Sequence, residues 1–215
     1  FNSDLLISLF HKNIDNFSKK FDYQYLHLDI KGLDKVKESF LENKLKKYLK
    51  TSIFLLPLDE IVKEIKENNW IKDIKLKTNY KDTLIVNIQE YKIFGIYKFN
   101  DKFFYFDKNG KIIEQVFNEL NNDTNIIIFF GQSSNLKANI IIDIMENLNF
   151  TENFKIKKID FIENRRWNII LHNNIKLLLS EENPEHSLKN FIDIEKKLSN
   201  IEMNNIRLFD LRNIK

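Results

Sequence analysis

Residues 69–90 of the chain read NWIKDIKLKTNYKDTLIVNIQE. Apolar and polar side chains alternate on both sides of the polar stretch 79–82, which is the pattern of two half-buried strands joined by a turn. The apolar spacing of the preceding residues predicts one strand and two helices. The order predicted for residues 23–91 is therefore β-α-α-β-β.

The segments before this hairpin are predicted as follows. Residues 4–21 carry apolar side chains at helical spacing, which predicts an amphipathic helix that leads into the fold or, alternatively, lies on a membrane surface. A strand follows at residues 23–30 and a helix at residues 34–48. A second helix, which Asp59 can cap, ends near Trp70, and we expect the Trp70 indole to lie in the core.

After residue 91 the pattern changes from helices to strands. Asn109-Gly110 predicts a tight turn between two of these strands. The predicted elements, in chain order, are strands at 93–99, 103–106, 111–113 and 126–130, a helix at 136–148, strands at 155–162, 167–171 and 175–179, a helix after Pro184, and a last strand at 206–212. We therefore expect a mostly antiparallel β domain with packed helices, and an α+β fold for the whole chain.

Three segments are expected from this change of pattern. Residues 1–22 form an amphipathic, membrane-proximal segment, residues 23–91 a β-α-α-β-β domain, and residues 92–215 a β domain. The chain begins at Phe1 and not at Met, so we expect a longer protein. No apolar run in it approaches the roughly 20 residues that a transmembrane helix requires.

Composition excludes several classes of protein. The 215 residues include 34 basic and 31 acidic side chains, and a net charge of +3 gives no indication of a nucleic-acid partner. The absence of cysteine excludes disulfides, thiolate nucleophiles and cysteine-ligated metals. Only four glycines occur, spread singly along the chain, which disfavours a glycine-rich phosphate loop.

Patterns of catalytic and metal-binding residues are also missing. The four histidines are isolated from one another and from suitably spaced carboxylates, and no serine nucleophile motif occurs. We therefore expect no enzyme activity, no metal and no cofactor. Carboxylates brought together only by folding stay open as an alternative.

Four motifs, in order, resemble the FtsQ/DivIB family of bacterial cell-division proteins. LDIKG at residues 28–32, followed by the helices and the hairpin quoted above, resembles the POTRA domain of that family. FDKNGKII at residues 106–113 is similar to its D-x-x-G hairpin, and RRWNIILHNNIKL at residues 165–177 to a second hairpin, with Asn174 at the position of the family's glycine. FDLR at residues 209–212 is similar to its closing strand.

The resemblance implies a non-catalytic scaffold of the division machinery. Such a protein is anchored in the inner membrane by a single transmembrane helix, absent from this chain, with the POTRA and β domains in the periplasm. The implied partners are the division proteins FtsB and FtsL and other membrane proteins of the divisome, and later components are recruited. The alternative is a POTRA-containing component of outer-membrane protein assembly or secretion, in which further POTRA repeats should follow residue 91.

We place the partner site on the last strand, because a terminal strand is often a sheet edge to which a partner strand can be added. All four arginines lie in the last quarter of a chain that otherwise uses lysine, which indicates contacts that need a planar group with several donors. Alternatively, Asp210 and Arg212 share a strand face and pair with each other or with neighbouring strands. The candidate partner-binding residues are Arg165, Arg166, Arg207, Leu208, Phe209, Asp210, Leu211 and Arg212.

Overall fold

The computed structural model describes residues 3–117 and 126–213. Residues 1–2 of the expected membrane-proximal segment, and residues 118–125 and 214–215 of the expected β domain, lie outside the described residues. The chain divides into two compact units, Phe1–Tyr91 and Lys92–Lys215. Within the part that is described, no helix combines the length and the hydrophobicity needed to cross a membrane.

The first unit has the predicted order of elements after its N-terminal helix. Its elements are α1 (Ser3–Lys20), β1 (His27–Lys31), α2 (Glu38–Leu45), α3 (Leu58–Ile65), β2 (Ile71–Thr78) and β3 (Thr83–Glu90), and a short 3-10 helix follows α2 at Lys46–Tyr48. The strand order is β1-β3-β2, with β1 parallel and β2 antiparallel to β3. The central strand β3 is therefore held by a neighbour on each side.

The core of this unit lies between the sheet and the helices. Leu84 and Val86 of β3 are fully buried, as are Ile61 and Ile65 of α3. One prediction is wrong: α3 begins at Leu58, and the residue before it is Pro57, which has no side-chain group to cap the helix. Asp59 lies instead in the first helical turn, where its negative charge faces the positive end of the helix dipole.

Helix α1 joins this core only near its C-terminal end. The Ser18 and Ser52 hydroxyls, both buried, are 2.6 Å apart, and the rings of Phe17 and Tyr23 stack at 5.8 Å. Towards its N-terminus the helix leaves large apolar side chains exposed; these are Leu5, Leu6, Ile7, Leu9 and Phe10.

The second unit is an eight-stranded sheet with helices on one face. Its elements are β4 (Gly95–Phe99), β5 (Lys102–Phe106), β6 (Ile112–Gln115), β7 (Ile128–Phe130), α4 (Ser134–Asn147), α5 (Phe150–Asn153), β8 (Ile156–Ile162), β9 (Arg166–Leu171), β10 (Lys176–Leu179), α6 (Pro184–Glu195), α7 (Asn200–Asn205) and β11 (Leu208–Leu211). The strand order is β11-β10-β9-β8-β7-β4-β5-β6. Of the seven strand pairings among described residues, four are antiparallel. The short helices α5 and α7 were not predicted, since so few turns give little periodicity.

Trp167 lies in the core of this unit. It is 5% exposed and stacks on Phe161, with ring centroids 4.1 Å apart. The adjacent arginines suggest an exposed hairpin, but successive side chains of a strand point to opposite faces. Arg166 and Trp167 therefore face away from each other across the sheet.

Candidate protein-interaction edge

The terminal strand β11 lies at one edge of the eight-stranded sheet, parallel to β10. The Lys176 N–H donates to the Arg207 carbonyl at 2.9 Å, so the Arg207 peptide group faces β10. The N–H and C=O groups of one residue point to the same side of a strand, and those of the next residue to the opposite side. Those of Phe209 and Leu211 therefore face β10 as well. The N–H and C=O groups of Leu208 and Asp210 therefore point away from β10, at the open edge of the sheet.

Side chains of β11 alternate between the helical layer and the opposite face. Leu211 is 2% exposed, and Phe209 packs edge-on against Phe191 of α6 at 5.0 Å. Leu208 is 51% exposed, and Asp210 is exposed as well. The Leu211 side chain thus belongs to the core and is not available to a partner.

Ser187 of α6 fixes the end of β11. Its buried hydroxyl donates to the Leu211 carbonyl at 3.0 Å and accepts from the Ser180 N–H at 2.9 Å. Sequence reasoning missed this residue, because a serine in the first turn of a helix ordinarily bonds its own backbone and gives no separate signal.

Polar side chains form a row on the sheet face opposite the helices. The strand register aligns Asp160 of β8 with Asn168 of β9, then Leu178 of β10 with Asp210 of β11. Arg166 lies two residues before Asn168 and so on the same face. We call Asp160, Arg166, Asn168 and Asp210 the polar row.

Three atoms of the polar row are buried without a hydrogen bond among the described residues: Arg166 Nε, Asn168 Oδ1 and Asp160 Oδ1. Asp160 Oδ1 is nonetheless 3.3 Å from the ammonium of Lys158, an ion pair that partly compensates its charge. Buried polar atoms without partners are rare in native structures, because each has lost hydration without replacement. Arg166 Nε and Asn168 Oδ1 therefore keep unused bonding capacity on β9, with β10 between them and the edge strand β11.

Asp210 and Arg212 form a bidentate ion pair. Arg212 Nε donates to Asp210 Oδ1 at 2.7 Å, and Nη2 donates to Oδ2 at 2.5 Å. The hydrogen-bonded Arg212 guanidinium lowers the pKa of Asp210, burial opposes this, and the charge of Arg166 lowers it further. The alternative in which these two residues pair with each other is thus what the structure contains. The pair leaves other guanidinium donors of Arg212 at the end of the edge.

Arg165 makes different contacts. Its guanidinium bonds Glu163 at 2.8 Å and Glu181 at 2.9 Å, and the bond to Glu163 keeps the pKa of that carboxylate below its ordinary value. The structure therefore brings Arg166, Asp210 and Arg212 together, while Arg165 pairs with carboxylates near the β8–β9 turn. Arg207 is exposed and contributes its carbonyl to the pairing with β10.

Among the described residues, no group of three or more histidine, aspartate or glutamate side chains could hold a metal ion. The candidate site consists of the outward main-chain groups of β11, the Arg212 guanidinium and the polar row. Such an arrangement can bind an extended peptide.

Two family models match most of the chain. Residues 95–212 match the C-terminal region of cell division protein FtsQ/DivIB, and residues 26–91 match the FtsQ-type POTRA domain. The resemblance inferred from the motifs is confirmed.

Individual relatives give the same result. Cell division protein FtsQ of Rickettsia typhi is 26% identical over 200 residues, covering 93% of this chain and 73% of that protein. FtsQ of Rickettsia prowazekii is 25% identical over the same shares of both chains. FtsQ of Agrobacterium fabrum is 24% identical over 150 residues, covering 69% of this chain and 46% of that protein.

Proposed function

The chain belongs to the FtsQ/DivIB family of cell-division proteins, and we propose that it is a non-catalytic scaffold of the division machinery. In this proposal it binds FtsB, FtsL and other membrane proteins of the divisome in the periplasm and recruits later components. Binding occurs by addition of a partner strand to β11.

One observation carries this proposal: β11 is a sheet edge whose outward N–H and C=O groups, those of Leu208 and Asp210, are accompanied by the Arg212 guanidinium on Asp210, and the charge of Arg166, two strands away on β9, acts on Asp210 as well. An added strand gains main-chain hydrogen bonds worth about 0.5 to 1.5 kcal/mol each. An acidic side chain of the partner would meet a guanidinium in bidentate geometry, which is stronger than a neutral contact. Main-chain pairing supplies affinity and the charges supply specificity.

The same proposal assigns a place to each segment. Residues 23–91 form the POTRA domain and residues 92–215 the β domain, as the family matches to 26–91 and 95–212 support. Residues 1–22 lead to a transmembrane helix outside this sequence, and the exposed apolar side chains of α1 are suited to the membrane surface. We place the protein in the inner membrane, with both domains in the periplasm.

A role in outer-membrane protein assembly or secretion was the alternative. It requires further POTRA repeats after residue 91, but residues 95–212 match the division family instead. Family membership therefore favours the division role.

The test is a titration of the periplasmic segment of the cognate FtsB into the protein and into charge-reversed variants. Arg166→Glu and Arg212→Glu should each weaken binding about tenfold or more, because each opposes an acidic partner and loses a charge-assisted hydrogen bond. Leu208→Pro should also weaken binding, since it removes an outward N–H without removing a bond to β10.

Lys137→Glu on α4 is the matched control, because it makes the same change of charge at an exposed position away from the edge. Unfolding curves are recorded for every variant. Equal affinities for the unsubstituted protein and the two arginine variants would refute the site. A large loss of stability in those variants would show that the arginines are structural.

A further inference from the structure

The first unit has an open sheet edge of its own, at β1. Among the described residues β1 pairs with β3 only, and the His27 N–H donates to the Asp82 carbonyl at 3.0 Å. Because peptide groups alternate along a strand, His27 and Asp29 face β3, whereas Leu28 and Ile30 direct their N–H and C=O groups outward. Two residues of β1 thus offer main-chain groups to another strand.

The opposite edge of the same sheet is protected, whereas the edge at β1 is occupied, in the described part of the chain, only just before the strand, where the main chain of Tyr25 bonds Lys50 and Thr51. Strand β2 exposes Lys72, Lys75 and Lys77 and has an irregular register near its start. Lysines and bulges are the features by which natural sheets prevent edge-to-edge pairing. The register between β1 and β3 is regular, and the outward-bonding residues of β1 are aliphatic.

A cleft of about 340 Å³ lies beside this edge. Its apolar side consists of Leu26, Leu28 and Leu49, of which Leu26 is 45% and Leu49 is 44% exposed. Its polar side is one face of α2 and the turn that follows, with Glu42 and Lys46. Strand addition uses an open sheet edge and an adjoining apolar cleft. The edge binds the main chain of the added strand, and the cleft accepts every second side chain.

The charged side chains on the polar side of the cleft can pair with charges of a bound segment. Glu42 and Lys46 are four residues apart, yet neither forms an ion pair within 4 Å among the described residues. Four helical residues span about 6 Å, and two strand residues span about 6.8 Å. A strand with one acidic and one basic side chain two residues apart therefore matches this pair in spacing and in sign.

We propose that the β1 edge and this cleft bind an extended segment of a partner protein. The segment places an aliphatic side chain over Leu26, Leu28 and Leu49. On the same face it carries a basic and an acidic side chain, two residues apart, which pair with Glu42 and Lys46. This site is independent of the β11 edge, so the protein holds one strand-binding site in each unit.

Two blocked heptapeptides of equal composition test the proposal: Thr-Val-Thr-Glu-Thr-Lys-Thr and Thr-Val-Thr-Lys-Thr-Glu-Thr. Each is titrated into the isotopically labelled chain while the backbone amide signals are recorded. We expect binding near 1 mM, with the largest shifts at Leu28 and Ile30. One peptide should bind about two- to fivefold more tightly than the other, as exposed ion pairs allow.

The charge-exchanged variant Glu42→Lys/Lys46→Glu should reverse this preference, while Glu60→Lys on α3 should leave it unchanged. Leu28→Pro should abolish binding of both peptides, because it removes an outward N–H without breaking a bond to β3. Equal affinities of both peptides, shifts away from β1, or no binding at about 5 mM peptide would each overturn the proposal. The exchanged variant alters only exposed side chains, so the test does not depend on whether Leu28→Pro folds.

Discussion

Trp70 is one of the core residues of the first unit. It lies just before β2 and is 9% exposed. Its N–H bonds the Asn68 side chain at 3.0 Å, and its carbonyl accepts from the Tyr91 N–H at 2.8 Å. The main chain of Trp70 is therefore bonded on both sides, and the burial of its side chain agrees with the predicted place in the core.

Trp70→Ala should lower the free energy of unfolding by about 3 to 5 kcal/mol, because it removes a large buried side chain and leaves a cavity. Thermal or urea unfolding measures the loss. Trp70→Phe, which keeps an aromatic ring, is the control and should cost less. An unchanged transition in the alanine variant would contradict the burial of Trp70.

The left-handed backbone conformation of Asn174 agrees with the prediction from the sequence. It takes the place of the family's hairpin glycine and has a φ of 66°, a backbone region that asparagine and glycine tolerate better than other residues. Its side chain also accepts from the Lys157 ammonium at 3.0 Å, in an exposed contact.

Asn174→Ala should destabilise the protein by about 1 to 2 kcal/mol, since alanine is strained at positive φ. Asn174→Gly should have nearly no effect, because glycine enters this region without a steric penalty. Both are compared with the unsubstituted protein by urea unfolding. Equal stability of the alanine and glycine variants would mean that backbone strain is not what this position selects against.

Among the secondary-structure elements, the end of β3 is joined to the loop between β1 and α2 by the carboxylate of Glu90. Glu90 accepts backbone N–H bonds from Asp34, Lys35 and Val36, at 2.9, 2.7 and 3.0 Å. Burial raises the pKa of Glu90, but these three bonds together lower it more, so the net pKa lies below the ordinary value. The conformation of the loop between β1 and α2 therefore depends on its bonds to Glu90, which the local sequence does not indicate.

Glu90→Gln should cost about 1 to 2 kcal/mol at pH 7, because an amide oxygen replaces a charged acceptor. The folded-state pKa is depressed, so this stabilisation is complete above the unfolded pKa of about 4.3 and is lost as the pH falls through the lower folded value. The two proteins should therefore become more similar in stability below pH 4. Urea unfolding at pH 7 and pH 3.5 tests this, with Glu182→Gln as an exposed control. A difference that does not depend on pH would contradict it.

At the scale of the whole molecule, two α+β units each place helices over one face of a sheet and leave a strand edge open. The chemistry that both units offer is hydrogen bonding by main chain and ion pairing by side chains. Neither uses a cluster of metal ligands among the residues described.

We predict that the purified protein contains no stoichiometric metal or nucleotide and hydrolyses neither nucleotides nor esters. The reason is that the described residues form no group of metal ligands and that the sequence contains no phosphate-binding loop and no serine nucleophile motif. Elemental analysis and nucleotide extraction of the purified chain measure this. A single equivalent of zinc, calcium or nucleotide would require a different function.

Local sequence was enough to predict the order of the longer elements and to reveal the family motifs. Periodicity of apolar residues specifies a strand or a helix without reference to the rest of the chain. Turns at Gly110 and Asn174 follow equally from local backbone preference, and both residues have positive φ.

Tertiary structure alone decided which strands are neighbours and what their side chains contact. The parallel pairing of β11 with β10, the bond from Ser187 to Leu211 and the open edge of β1 each join residues distant in the sequence. A strand pattern shows that residues alternate between two faces, but the partner of each edge depends on which packing buries the most apolar surface. The spacing of Asp210 and Arg212 allows an internal ion pair, and only the folded geometry shows that this pair forms.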